Sequence, residues 1–405
     1  MPSDGGGGRP AVLWITDEPP DRSLGGGNIR QAHLVEGLAR AADVTLLVVG
    51  ELHDDVVRGA VHEVVEVAPV RLPEPRSRFV RRLFDLWLAL GARGPREVVI
   101  TERRRRRLRP ILADLEPRFD VVVASHLGMA ALRPRRPAAR WVPQLHHVSS
   151  AKADQERAVT PGRRQQWLLA REATKARRFE RWLLRSFDTV VLVSDGDAEA
   201  LGPSPTEARV VIAANGVDTA HYVPSPRTDE PVVVMTGSFQ YGPNVDGAVW
   251  FCDEVLPRIQ AAVPSATLDL VGHSPRAEVR ALAARAGVEL HPDVPSMAPW
   301  LSRARVCVVP LRIGTGTRLK ALEAMAAGRP VVGTSVGLEG LGLVDGTHAH
   351  VVDDPAAFAD AVIRVLTDDD HAEALATAGR ALVEERFQWT AIGDGLARHL
   401  LAGSR

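Results

Sequence analysis

The stretch VCVVPLRIGTGTRLKALEAMAAGRPVV, residues 306–332, decides how the chain is read. Val306–Pro310 is a short apolar run of the strand type. A Gly/Thr loop, Gly314–Thr317, leads into a helical pattern over Leu319–Ala327. Gly328-Arg329-Pro330 breaks that pattern, and a second apolar run follows from Val331. Strand, loop, helix and strand in this order form the repeating unit of a parallel sheet. Outward from it the same alternation continues. Val232–Thr236, Thr267–Val271, Val288–Leu290 and Ala349–Val352 read as further strands, with a helix over Asp246–Ala262. The earlier half offers Ala11–Thr16, Val44–Val49, Val64–Val67, Val121–Ala124, Trp141–Leu145, Thr189–Val193 and Arg209–Ala213. Continuous Val/Ile/Leu runs of this length are the pattern of strands buried on both faces. The expected fold is therefore α/β, with two Rossmann-like doubly wound domains. Residues 1–214 form the first, the turn-rich 215–230 a linker, 231–385 the second, and 386–405 a last helix.

The Gly/Thr loop carries a chemical reading as well. Small residues let backbone N–H groups approach an anion, and a helix N-terminus favours negative charge. Arg318 and Lys320 in the first turn oppose the helix dipole, a conflict that an anionic ligand would offset. Glu323, about one turn beyond Lys320, can accept hydrogen bonds from ribose hydroxyls. On residue chemistry alone the stretch fits either a diphosphate cradle or an ordinary loop and helix with solvated charges. It does not match G-x4-G-K-[ST], and no early βαβ unit carries G-x-G-x-x-G.

Composition narrows the class. The 405 residues hold 50 Lys+Arg and 50 Asp+Glu, and a net charge of zero argues against a dedicated nucleic-acid binder. Two cysteines, Cys252 and Cys307, exclude a disulfide scaffold and a cysteine-based zinc site. The balance is uneven, since Arg71–Ser186 holds 28 basic and 11 acidic residues. No apolar run approaches the ~20 residues of a spanning helix, and the N-terminus lacks an apolar signal core. A cytoplasmic protein is expected. Arg78–Leu90 reads either as a packed helix or as a basic amphipathic segment for peripheral membrane association. Arg103–Arg107 reads as a solvated helix face or loop.

The run GTGTRLKALEAMAAGRPVVGTSVGLEGL is very similar to the nucleotide-binding segment of GT-B glycosyltransferases of family 4. Val193-Ser194-Asp195 with Asp197, Asn215-Gly216-Val217-Asp218, Thr236–Phe239, Pro243-Asn244, Trp250-Phe251 and Val255–Pro257 resemble further family stretches, as do Phe387 and Trp389. The resemblance implies a GT-B fold whose last helix returns to the first domain. It implies retaining transfer of a sugar from a nucleotide diphosphate sugar in the second domain to an acceptor in the first, with no metal or other cofactor required. Glu323 matches the second glutamate of the family's Glu-x7-Glu motif. The first would fall at Thr315, so it is missing. The Arg and Lys that relatives carry near Gly237–Gly242 are missing too, which leaves Arg318 and Lys320 to neutralise the diphosphate.

The remaining expected donor contacts are Gly314, Thr315, Gly316, Thr317, Leu322, Asp293, Val294, Gly237 and Ser238. Gly25, Gly26, Gly27 and Asn28 resemble the family's first-domain glycine loop. His146 resembles the histidine that contacts the transferred sugar or acceptor, with His147 in the place of an aspartate, and Asn215 shapes the cleft. A proton-handling role for His146 fits its titration range. Asp195-Gly196-Asp197 is read as a strand-end turn rather than a metal site, and Asp353-Asp354 and Asp368–Asp370 as turns or helix ends. Two alternatives are a nucleotide-sugar epimerase on the same architecture and a catalytically inactive donor-binding homologue. Polysaccharide, lipid-linked and secondary-metabolite acceptors all stay open.

Overall fold

The computed structural model describes residues 8–69, 94–160, 162–226, 228–314 and 318–402. It forms two compact units, Met1–Ala214 with Trp389–Arg405, and Asn215–Gln388. The first unit is built on seven strands: β1 (Ala11–Thr16), β2 (Asp43–Val49), β3 (Glu63–Val67), β4 (Val121–Ser125), β5 (Arg140–Gln144), β6 (Thr189–Leu192) and β7 (Arg209–Ile212). Their order is β3-β2-β1-β4-β5-β6-β7, and every pairing is parallel. Alternate residues of β1 serve opposite faces. Val12 and Trp14 join the core that contains Leu34 and Leu38, whereas Leu13 and Ile15 join the one that contains Leu112 and Leu183. Helices on both faces are the reason that these strands read as unbroken apolar runs.

The second unit repeats the plan with β8 (Val232–Ser238), β9 (Thr267–His273), β10 (Val288–Pro292), β11 (Val306–Val309), β12 (Val331–Gly333) and β13 (His350–Val351). The order is β10-β9-β8-β11-β12-β13. Val233 and Met235 of β8 pack into a core with Phe251, Ile259 and Phe358. In both units the chain begins mid-sheet, runs to one edge, then returns to fill the other side. The reversal falls between β1 and β4, and between β8 and β11. In open parallel sheets, ligands bind beyond the carboxyl ends of the strands at such a point.

Three elements differ from the sequence expectation. Residues 215–230 are not a free linker but pack on the second unit. Val217 N donates to Phe387 O at 2.8 Å, Arg380 donates to Tyr222 O at 2.6 Å, and Arg329 to Ser225 O at 2.8 Å. The second unit also runs on through Gln388 rather than ending at residue 385. The helix expected over Asp246–Ala262 starts at Gly242 and is interrupted, with α-helix at Gly242–Trp250 and Leu256–Ala262 and a wider π turn at Phe251–Val255 between them. Pro257 has no N–H to give to the carbonyl of Asp253, which loosens the ladder there. Nearby carbonyls find side-chain donors instead: Arg285 to Cys252 O at 2.7 Å and Arg258 to Glu254 O at 2.9 Å.

The last helix, Trp389–Leu401, belongs to the first unit, where Leu396, Ala397 and Leu400 enter the core beside Leu34 and Leu38. It crosses the helix Gly26–Ala39 at a glycine pair. A Cβ on Gly37 would stand 2.4 Å from Gly393 Cα. The run Arg103–Arg107 lies within the helix Arg96–Leu115, and Arg78–Leu90 lies outside the described residues. Among the described residues no helix is long and apolar enough to cross a membrane.

Candidate functional site

The carboxyl edge of the second sheet gathers most of the expected donor contacts. Gly237 and Ser238 end β8, Gly314 follows β11, and Arg318 and Lys320 open the helix Leu319–Ala326. Gly237 has φ +151° and Gly314 φ +129°, values that disfavour any side chain. Thr315, Gly316 and Thr317 lie outside the described residues. Arg318 is the N-cap residue of that helix and caps nothing with its side chain. Its guanidinium instead lies over Gly314, where a Cβ would meet both Nη atoms at 3.0 Å, and its Nε donates to Val336 O at 3.1 Å. Leu322 is buried in the helix's inner face.

Lys320 reaches from the same turn across to the end of β8. Its Nζ donates to Asn244 Oδ1 at 2.6 Å, and Asn244 Nδ2 donates to Ser238 O at 2.8 Å. A Cβ on Gly237 would fall 2.8 Å from Nζ, so the missing side chain is what admits the ammonium. Burial, then the neighbouring Arg318, pushes Lys320 down to about 7, against the pull of Glu323. Arg318 and Lys320 thus stand together at a helix N-terminus, with Asn244 Oδ1 on the lysine and with Val336 O and, at 3.8 Å, the Glu339 carboxylate on the arginine. A preorganised pair of this kind stabilises an anion whose charge grows during reaction. Asn244 is buried, and sequence reading assigned it no role. Asn244→Asp places a carboxylate against Nζ and is expected to raise the Lys320 pKa. The pH at which Lys320 gives up its proton should then move up by about one unit, read by NMR titration of the lysine side chain. A purely structural Asn244 would change the melting temperature and leave that pH profile unmoved.

Glu323 lies on the same helix and is held above the usual carboxylate range, mainly by burial. A hydrogen bond from Tyr222, Lys320 and His221 act in the opposite direction. The Tyr222 hydroxyl is in turn pushed up by burial and by Glu323. Tyr222 lies in the stretch first read as a linker, so packing rather than spacing brings it here. Asp293 has φ +53° and accepts from Ser274 N at 2.8 Å, which closes the turn beyond β9. Val294 follows, partly buried, and Asn215 opens the second unit, also partly buried. The acidic pairs are spent on helix starts. Ser194 caps the helix Asp195–Leu201 and binds Asp197 at 2.7 Å, while Asp354 and Asp368 cap the two helices after β13.

The first unit has its own polar group at its strand reversal. Gly25 is the N-cap of the helix Gly26–Ala39 after β1, and Asn28 Nδ2 donates to Pro19 O at 2.8 Å. Gly27 faces His146, whose Nδ1 lies 3.0 Å from the position of a Cβ there. His146 Nε2 is 3.1 Å from Gln144 Oε1, to which Ser125 Oγ also donates at 3.0 Å. Burial, then His126, Arg30 and His147, hold His146 well below the ordinary histidine range, so the ring is neutral at pH 7. His126, at the end of β4, packs on His146 with ring centroids 4.0 Å apart, and Glu18 Oε2 is 3.3 Å from His126 Nε2. Sequence reading passed over His126 and Glu18. The available signal was position, because His126 ends the β4 run as His146 follows the β5 run.

Two parallel doubly wound sheets, each with polar groups at its strand reversal, define a protein of the GT-B class. Two family models match the chain in succession: "Glycosyl transferase 4-like domain" over residues 25–216 and "Glycosyl transferases group 1" over residues 230–368. The chain belongs to the family-4-like glycosyltransferases. A glycogen synthase of Mycobacterium tuberculosis is 28% identical over 264 residues, which cover 61% of this chain and 62% of that protein. This chain therefore spans about three fifths of that relative. A sucrose-phosphate synthase structure from Thermosynechococcus elongatus superposes with a TM-score of 0.73 at 21% identity, covering 97% of this chain and 100% of that one. The Anabaena protein HepE in complex with UDP-glucose gives a TM-score of 0.64 at 13% identity, covering 97% of this chain and 99% of that one.

Proposed function

We propose that the protein moves a sugar, with retention at the anomeric carbon, from a nucleoside diphosphate sugar to an acceptor hydroxyl. The observation that carries this reading is the pair Arg318 and Lys320, fixed over Gly314 and Gly237 at the strand reversal of the second unit. The UDP-glucose complex of a protein with the same fold supports it. In the reaction the bond between the anomeric carbon and the diphosphate oxygen breaks as the acceptor oxygen bonds to that carbon. The hydroxyl proton passes to the departing diphosphate, whose growing charge Arg318 and Lys320 stabilise. Glu323 accepts from the ribose. Positioning and charge stabilisation then do the chemistry without a resident metal. The same reading places the enzyme in the cytoplasm.

A melting screen against nucleoside diphosphates, followed by transfer assays with the best nucleotide sugar, tests this. At 100 times its Kd the correct nucleotide should stabilise the protein by about 2.7 kcal/mol. No shift with any nucleoside diphosphate would overturn the reading. Donor isomerisation without acceptor would assign the protein to epimerase chemistry instead.

A further inference from the structure

We infer that Tyr222 is a positioning residue of the second unit, whose hydroxyl holds one oxygen of the Glu323 carboxylate so that the group accepts from a ribose hydroxyl of the bound nucleoside diphosphate. This role rests on the donor reading proposed above and adds a residue to it. On that reading the diphosphate lies on Arg318 and Lys320 at the start of the helix Leu319–Ala326. The ribose is the next group along the nucleotide, and Glu323 is about one turn further along the helix.

The Tyr222 hydroxyl is hydrogen-bonded to Glu323, and the bond favours the ionised carboxylate, so the tyrosine is the donor. Both residues are partly buried. A hydroxyl taken out of water costs free energy unless it finds such a partner. A phenylalanine would serve the packing, because the Tyr222 ring meets His221 edge-on with centroids 4.8 Å apart, a contact that needs no hydroxyl. What the O–H adds is the bond to Glu323. An ionised carboxylate accepts at about four lone-pair sites. Tyr222 fills one and leaves accepting sites for a ligand, and a ribose hydroxyl there makes a charge-assisted hydrogen bond.

The backbone that carries Tyr222 is fixed before any ligand arrives. Asp218 Oδ1 accepts from Ala220 N at 2.9 Å and from His221 N at 3.2 Å, and Tyr222 N donates to Asp218 O at 3.1 Å, which closes a turn over residues 218–222. Arg380 clamps that turn to the helix bearing Glu323. It donates to Tyr222 O at 2.6 Å, to Thr219 O at 3.2 Å, and to Ala326 O at the end of the helix. Glu384 Oε1 in turn accepts from Arg380 Nε at 2.6 Å. Hydroxyl and carboxylate thus keep their relative placement through bonds on both sides, and a contact set in advance loses less freedom on binding.

The test uses the full-length protein and calorimetric titration with UDP, GDP and ADP, each compared with its 2′-deoxy and 3′-deoxy forms. For a nucleotide that binds, the wild type should prefer the ribonucleotide to at least one deoxy form by about 10–100-fold, the worth of a hydrogen bond to a charged group. Tyr222→Phe keeps the ring against His221 and should cut that preference at least ~5-fold while weakening the same deoxy form less than ~2-fold. Glu323→Gln should cut it likewise, and adding Tyr222→Phe to Glu323→Gln should change it no further, since the two act through one contact. A purely structural Tyr222 would lower the melting temperature, or weaken both forms equally, and leave the preference unmoved; that result would overturn the inference. A wild type that binds ribo- and deoxynucleotides alike, or a preference lost in Glu323→Gln but kept in Tyr222→Phe, would overturn it with the donor reading intact. Failure of all three nucleotides to bind the wild type would overturn the donor reading itself, and this role with it.

Discussion

Lys320→Met is expected to abolish most transfer while leaving the protein at least as stable as it was. Loss of one preorganised donor to a developing charge costs about 10²–10³ in kcat. The stability half of the prediction follows from the site's electrostatics. The ammonium is partly buried, beside Arg318, at a helix end that repels cations. Its pKa falls from 10.5 in the unfolded chain to about 7 in the fold. Between those values the unfolded state binds more protons, so wild-type stability should rise with pH across that window. Lys320→Met should flatten this slope and melt at or above the wild-type temperature at pH 7. Ligand binding runs the other way. A diphosphate favours the ammonium, so wild-type affinity should fall as pH rises through 7, by up to tenfold per unit, and this dependence should vanish in the variant. Steady-state kinetics, melting curves at pH 7–10 and calorimetric titration read the three effects. An inactive variant that also melts well below wild type would show a structural lysine instead.

Gly393→Val is expected to lower the melting temperature by about 5–10 °C. Its own Cβ position is 2.7 Å from Gly37 Cα and 3.5 Å from His33 O, both backbone atoms. Neither can rotate away, so the last helix must lift from the helix Gly26–Ala39. Overpacking of this kind costs about 1–3 kcal/mol and more where backbone is struck. For a cooperative unit the size of the first, each kcal/mol corresponds to roughly 2–4 °C. Lifting also weakens the Arg40–Asp394 ion pair at 2.8 Å and the stacking of His33 on Trp389. Calorimetry that finds an unchanged melting temperature would contradict the close crossing.

The sheets were legible because parallel strands buried on both faces leave unbroken apolar runs, as Val121–Ala124 and Val306–Val309 do. Their ends were less legible. A strand stops where hydrogen bonding stops, and β8 extends to Ser238, two residues past its apolar run. Arg318, Lys320 and Glu323 could be found because one helix carries all three. Asn244 and Tyr222 could not, because each reaches the site from a separate segment. The same holds for Glu18 and His126, which meet His146 only once β1, β4 and β5 are side by side. The interruption at Phe251–Val255 was hidden by an apolar pattern that suits an α-helix. Only Pro257 hinted at it.

The placement of Trp389–Leu401 in the first unit has a consequence for biosynthesis. The second unit, Asn215–Gln388, is translated between the two parts of the first. At 5–20 residues per second that interval lasts about 10–35 s. Throughout it Leu34, Leu38 and Val35 lack the Leu396, Ala397 and Leu400 that cover them in the finished protein. The second unit can mature on the ribosome, whereas the first must wait, part-assembled, until nearly the whole chain has emerged. Nascent chains of this protein should therefore draw on holdase chaperones most heavily while the second half is being made.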